Sequence, residues 1–251
     1  MMKPLKILIL SLIILVAFVL LGSQSLTYDA SIIPEKNSSP YYDYHGLHSR
    51  DGIGKFYLGR EIAKVMGHRE FLWLERPNRE QQEKPQKLLE ALNLKPTDTI
   101  ADIGAGSGYF SFRLASFVPN GKVLAVDIQP EMLDIIDFLK QENKVNNIET
   151  ILGTIKNPNL PKNTVDIILM VDAYHEFEYP REMMENIVTS LKPGGMVILA
   201  EYRRENPLIP IKMLHKMTEK QVKKEMNVVG LTWEKTEEIL PQQHLIFFTK
   251  I

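Results

Sequence analysis

Two rhythms of apolar residues alternate along the chain. Short apolar runs of strand length fall at residues 100–103, 122–127, 148–152, 165–170 and 196–200, with two closing runs at 231–237 and 245–249. Between them lie stripes at helical spacing: Phe110, Leu114, Phe117 and Val118; Met132, Ile135, Ile136 and Leu139; Met184, Ile187, Val188 and Leu191; Val222, Met226 and Val229. Pro130 suits a first helical turn, and Leu191-Lys-Pro-Gly-Gly195 stops a helix before the fifth run. This alternation predicts an α/β domain, a doubly wound and mostly parallel sheet with helices on both faces. Upstream, Leu88, Leu89 and Leu92 mark one further helix, and Ile62, Val65 and Met66 suggest a short amphipathic helix.

The amino-terminal segment has a different texture. Lys3 and Lys6 precede residues 7–21, fifteen positions of which only Ser11 is polar. That length suits the apolar core of a secretory signal and falls short of the roughly 20 residues that span a bilayer. Ser23 and Ser25 have the spacing of a cleavage site. Residues 1–25 therefore read either as a signal peptide cut after Ser25 or as an uncleaved anchor contacting the membrane through residues 5–22. Lysines before the run and Asp29 and Glu35 after it orient the remainder away from the cytoplasm. Residues 26–50 read as a linker that includes the sequon Asn37-Ser-Ser39, residues 51–84 as an extension or lid, and residues 85–251 as the α/β domain.

The chemistry concentrates at Asp102-Ile-Gly104-Ala105-Gly106-Ser-Gly108, between the first strand and the first helix of the domain. Glycine reaches positive φ without steric cost and lets a ligand approach the backbone, while the helix's first N–H groups favour a polar or anionic partner. A dinucleotide fingerprint would need its third glycine at Tyr109, so the spacing argues against a nicotinamide oxidoreductase. Asp127, nineteen residues past Gly108, ends the next strand, where an acid can accept from two ribose hydroxyls. Lysine plus arginine total 30 against 31 acids, which gives no basic excess to suggest nucleic acid as a partner. The absence of cysteine removes disulfides, thiolate nucleophiles and cysteine-based zinc sites.

Asp102 to Gly108, Asp127, the strand ending at Asp172, and Leu191-Lys-Pro-Gly-Gly195 stand in the order and spacing of successive motifs of class I S-adenosylmethionine (SAM) dependent methyltransferases. From about Pro85 onward the chain resembles that family, and most closely its bacterial small-molecule members, including exported ones with an N-terminal extension. The resemblance implies a Rossmann-like seven-stranded sheet ordered 3-2-1-4-5-7-6 with the seventh strand antiparallel, preceded here by a helical extension. It implies SAM as cofactor and a small-molecule methyl acceptor. Gly104, Gly106 and Gly108 would pass under the methionyl part, Asp102 and Ala105 of the same motif would be further cofactor contacts, and Asp127 would hold the ribose. Many relatives carry an acid after the third strand to receive the adenine amino group, whereas Thr154 offers a hydroxyl here. Adenine would then rest on backbone groups and on apolar walls such as Ile128 and Ile155.

The family places its acceptor at the loop after the fourth strand, here Asp172-Ala-Tyr174-His175-Glu176. His175 can act as a base near neutral pH with Glu176 or Asp172 orienting it, or can simply pack the pocket mouth with Tyr174. Tyr57, Tyr174 and Tyr202 are candidate acceptor contacts, with Tyr57 and Trp73 as stacking walls or as packing against the sheet edge. Glu201, Arg203 and Arg204 read as surface charge. His175-Glu176 lacks the H-E-x-x-H spacing, which would need a histidine at Tyr179, so no metal site is expected. The alternative to an enzyme is an envelope module that binds SAM or a nucleoside without transfer, since the charged cofactor crosses bilayers poorly.

Overall fold

The computed structural model describes residues 40–250. The apolar segment at 7–21, the cleavage site after Ser25 and the sequon at Asn37 lie outside the described residues. Among the described residues, no helix is long and apolar enough to cross a membrane.

The described chain opens with an antiparallel three-stranded sheet: β1 (Tyr42–Tyr44), β2 (Gly52–Tyr57) and β3 (Arg60–Ala63). β1 falls within the segment read as a linker. β3 replaces the amphipathic helix expected around Ile62. The reason is local: Tyr57 pairs with Arg60 across Leu58 and Gly59, whose φ angles are 49° and 91°. Positive φ at both central residues is the signature of a type I′ hairpin turn, which matches the twist of the flanking strands. Ile62 then packs with Tyr42 and Tyr57 in a small core of its own. A 3-10 helix (His68–Trp73), α1 (Arg79–Glu83) and α2 (Pro85–Ala91) lead into the main domain.

That domain has β4 (Thr99–Ile103), α3 (Tyr109–Phe117), β5 (Lys122–Asp127), α4 (Pro130–Asn143), β6 (Ile148–Leu152) and β7 (Val165–Val171). These are followed by a 3-10 turn (Tyr174–Glu176), α5 (Pro180–Ser190), β8 (Leu191–Tyr202), a further 3-10 turn (Met213–His215), α6 (Glu219–Asn227), β9 (Leu231–Glu237) and β10 (Gln243–Lys250). The sheet order is β6-β5-β4-β7-β8-β10-β9, with β10 antiparallel to both neighbours. Counting from β4, this is the expected order 3-2-1-4-5-7-6. The central strands are buried on both faces, which explains their near-continuous apolar sequences. Ile100, Val123, Leu169 and Ile198 pack with Leu88, Leu114 and Ile136, while Ala101, Leu124, Ile168 and Val197 pack with Met184, Ile187 and Val222. Lys192-Pro-Gly-Gly195 is an excursion within β8 rather than a stop before it, since Leu191 pairs with Val165 and Met196 with Ile167.

The hairpin is fastened to the domain by one buried ion pair. Arg60 Nε and Nη2 donate to Glu225 Oε1 and Oε2 of α6, both at 2.8 Å, and Nη1 donates to the His175 carbonyl at 3.1 Å. The Tyr174 hydroxyl donates to Glu225 Oε2 at 2.8 Å. The extension thereby grips the loop that follows β7.

Candidate active site

The carboxyl ends of β4 to β8 open onto one cavity of about 890 Å³, within the range of about 300–1,000 Å³ typical of small-ligand sites. It straddles β4 and β7, where the strand order reverses, the place at which open α/β sheets bind ligands. Gly104 (φ 75°) and Gly106 (φ 54°) line it. A Cβ on Gly104 would stand 2.7 Å from the Ala173 methyl, and one on Gly106 2.6 Å from Leu74 Cδ1. The amides of Gly104 and Ala105 both donate to the Val126 carbonyl, at 2.8 and 3.0 Å, so the bend is tied to β5.

Asp127 lines the same wall and is nearly fully buried. Its Oδ2 accepts from Gly106 N and its Oδ1 from Gln129 N, each at 2.9 Å. An ionised carboxylate offers about four lone-pair sites, so capacity remains for two vicinal hydroxyls. Ile128, Met132, Gly153 and Ile155 add a mostly apolar face. A nucleoside fits this cradle: a side-chain-free bend, an acid beside it and apolar walls for a base.

Four residues expected to touch the cofactor do not line the cavity. Thr154 uses its hydroxyl to accept from the amides of Lys156 and Asn157, closing a turn. Ala105 and Gly108 are buried beneath the bend, Gly108 against Phe112 and Ile136. Asp102 faces away toward α3, where its Oδ2 accepts from Ser111 Oγ at 2.6 Å. Burial pushes the Asp102 carboxyl up from 3.8 to about 6. A folded pKa above the unfolded one means a contribution complete below about pH 4 and lost as pH rises through 6. Wild-type stability should therefore lose about 2 kcal/mol from this group between pH 4.5 and 8. Asp102→Asn should abolish that component. Urea denaturation at both pH values checks it, and equal pH slopes in the two proteins would refute it.

The opposite wall is strongly polar. Asp172, His175 and Glu176, the expected catalytic trio, all line the cavity, as does Tyr202. Their internal arrangement differs from expectation. His175 is held by Glu201, whose Oε2 lies 2.7 Å from its Nδ1, and not by Asp172 or Glu176. Burial disfavours imidazolium there, but the Glu201 charge outweighs it and raises the His175 pKa. Asp172 sits at φ 50°, accepts from Gln243 Nε2 at 2.7 Å, and leaves Oδ1 without a protein partner. Burial, with the charges of Glu83 and Glu201 nearby, lifts its pKa well above the carboxylate range. Tyr202 donates to Glu83 Oε1 at 2.6 Å, and Arg79 Nε donates to Glu83 Oε2 at 2.8 Å. Tyr57 and Tyr174 are elsewhere. Both are fully buried, Tyr57 in the hairpin core and Tyr174 against Glu225, and neither lines the cavity. Trp73 does line it.

Several wall residues had no local signal in the sequence. Glu201 is fully buried at the heart of the wall rather than part of a surface charge cluster, and it also accepts from Tyr174 N at 3.0 Å. His215 arrives on the 3-10 turn forty residues after His175, its Nδ1 3.1 Å from His175 Nε2. Met66 N donates to Glu176 Oε2 at 3.1 Å, and Gln129 exchanges hydrogen bonds with Met66 and His68, so the extension forms part of the rim.

Comparison with known proteins agrees with this geometry. Residues 94–244 match the family model described as "Methyltransferase domain". An uncharacterized methyltransferase of Schizosaccharomyces pombe is 28% identical over 161 residues, covering 62% of this chain and 60% of that protein. An arsenite methyltransferase of Halobacterium salinarum is 26% identical over 115 residues, covering 45% and 29%. The chain spans about half the length of the curated relatives it matches. Among solved structures, a SAM dependent methyltransferase from Aquifex aeolicus superposes with a TM-score of 0.70 at 23% identity, covering 74% of this chain and 100% of that one.

Proposed function

The chain belongs to the methyltransferase-domain family, and from that membership we propose that it transfers the methyl group of SAM to a small-molecule acceptor. The observation that carries this reading is the cradle formed by Gly104, Gly106 and Asp127 at the reversal of strand order, with a polar wall facing it across one cavity. SAM supplies, when bound, an electrophilic methyl carbon on a sulfonium that leaves as a neutral thioether.

The chain's own residues have three tasks. Gly104 and Gly106 form the positive-φ bend packed under Ala173 and Leu74 at the cavity wall, and Asp127 accepts from sugar hydroxyls. Asp172, His175, Glu176 and Tyr202 present polar atoms to whatever enters from the other side. Holding two reactants in line can supply roughly 7–11 kcal/mol in favourable cases, so no protein nucleophile is required. The cavity is closed along one side by residues 64–83, and a volume of about 890 Å³ suits a cofactor together with a modest acceptor better than a protein surface.

The test is direct. Full-chain protein incubated with SAM labelled in the methyl group, and with fractionated metabolite extracts, should bind SAM and pass label to a low-molecular-weight product. SAM binding without transfer to any fraction would favour the non-catalytic module. Absence of SAM binding would overturn both readings.

A further inference from the structure

We infer that His175, Glu176 and His215 form a binding site for a divalent transition-metal ion on the acceptor wall of the cavity. The three donor atoms lie close together: His175 Nε2 to His215 Nδ1 is 3.1 Å, His215 Nδ1 to Glu176 Oε1 is 3.3 Å, and His175 Nε2 to Glu176 Oε1 is 3.8 Å. A metal with arms of about 2.1 Å sets its ligands about 3.4 Å apart in a tetrahedron and about 3.0 Å apart along an octahedral edge. Two of the observed separations, 3.1 and 3.3 Å, fall between those values, and the third, 3.8 Å, is wider.

The proton inventory points the same way. His175 Nδ1 faces Glu201 Oε2 at 2.7 Å, and a carboxylate there requires the proton on Nδ1. In the neutral ring, the form that binds metal, His175 Nε2 is then a lone pair. His215 Nε2 lies 3.2 Å from Asp51 Oδ2 and its Nδ1 3.3 Å from Glu176 Oε1; in the tautomer that carries the proton on the Asp51 side, Nδ1 is a lone pair as well. With those tautomers two imidazole lone pairs and a carboxylate oxygen converge on one point, and a positive species between them removes the repulsion. Each histidine has an outer carboxylate, the arrangement that fixes tautomer and orientation in histidine-ligated metal centres.

The chemistry of the donors selects the ion. Two imidazoles and one carboxylate suit Zn²⁺, Co²⁺, Fe²⁺ or Mn²⁺ better than Ca²⁺ or Mg²⁺, which favour all-oxygen sites. Glu176 is held in place through its second oxygen by Met66 N, and His175 by the buried Glu201, so the set is pre-organised. All three ligands line the cavity, and three protein ligands leave coordination positions open toward it. On the methyl-transfer reading, those positions would hold an oxygen or nitrogen of the acceptor. The ion site itself stands on the donor geometry without that reading. His175-Glu176 lacks the H-E-x-x-H spacing that predicts a metal from sequence neighbours, and the third ligand, His215, comes from another loop.

Full-chain protein stripped with a chelator should bind one Zn²⁺ by calorimetry, and Co²⁺ should give the visible absorption of a nitrogen- and oxygen-ligated ion. His215→Ala and Glu176→Gln should each weaken Zn²⁺ at least a hundredfold, and Glu201→Gln about 10–100-fold, with thermal melts confirming that each variant is folded. SAM affinity, measured in parallel, should stay within about twofold of wild type in His215→Ala. No Zn²⁺, Co²⁺ or Mn²⁺ binding to wild type would overturn the inference and leave a shared proton between the two rings. Binding that survives both His215→Ala and Glu176→Gln would overturn it equally. Loss of SAM binding by wild type with Zn²⁺ retained would instead strike the methyl-transfer reading alone.

Discussion

Arg60→Met should lower the melting temperature by about 6–20 °C, the largest stability effect expected of any single substitution in the clamp between hairpin and domain. Arg60 and Glu225 are both almost fully buried and meet through two parallel hydrogen bonds of 2.8 Å. Removing one partner of such a pair strands the other charge and costs about 3–5 kcal/mol, and each kcal/mol shifts a domain of this size by about 2–4 °C. Tyr174 and Gln221 also donate to Glu225, at 2.8 and 2.7 Å, and cannot supply the missing charge. The double variant Arg60→Met/Glu225→Leu should recover more than half of the loss, because burying no charge at all is often as stable as burying a pair. Calorimetric melts of the three proteins decide the matter. Additive losses in the double variant would show that packing, not charge, is what the clamp provides.

Asp127→Ala should weaken SAM binding about a hundredfold, about 2.7 kcal/mol. The carboxylate does two things that alanine cannot. It accepts from ligand hydroxyls, and it anchors the Gly106 and Gln129 amides on either side of the cavity floor. Hydrogen bonds to a charged group contribute about 1.5–3 kcal/mol each, so losing the ligand contacts and loosening the bend together exceeds tenfold. Asp127→Asn keeps part of the geometry and should fall between. Titration calorimetry of the three proteins with SAM is the check, and equal affinities would remove Asp127 from the binding site.

The sequence revealed the half of the site that is built from consecutive residues. Strand, Gly104-Ala-Gly106 bend and helix are dictated by local backbone needs, and Asp127 stands at a fixed distance because the βα unit between has a fixed length. The alternation of periods pointed to a mostly parallel sheet, and the strand order came from the family resemblance alone. The acceptor wall was only partly legible. His175 and Glu176 stood out as titratable neighbours after a strand, yet their partners Glu201 and His215 come from other loops, and no spacing rule links them. Glu201 looked like surface charge because Tyr202, Arg203 and Arg204 follow it. The alternation of β8 nonetheless turns it inward, where Tyr174 N and His175 wait. The hairpin carries only a faint local signal. Leu58-Gly59 is a weaker turn signature than Asn-Gly, and the period of Ile62, Val65 and Met66 mimics a helix. Asp102 and Thr154 stand at motif positions, yet each is committed to hydrogen bonds inside the fold.

The antiparallel strand β10 lies between β8 and β9 although it is the last of the seven to be made. Until residues 243–250 have left the ribosome, β8 presents an unpaired edge rich in Val197, Ile198 and Leu199, and β9 has nothing to join. The nascent chain thus carries a sticky border while residues 203–250 are being made, a natural binding place for chaperones. Any shortening that removes Phe247 and Phe248 withdraws a middle plank from the sheet rather than trimming its rim.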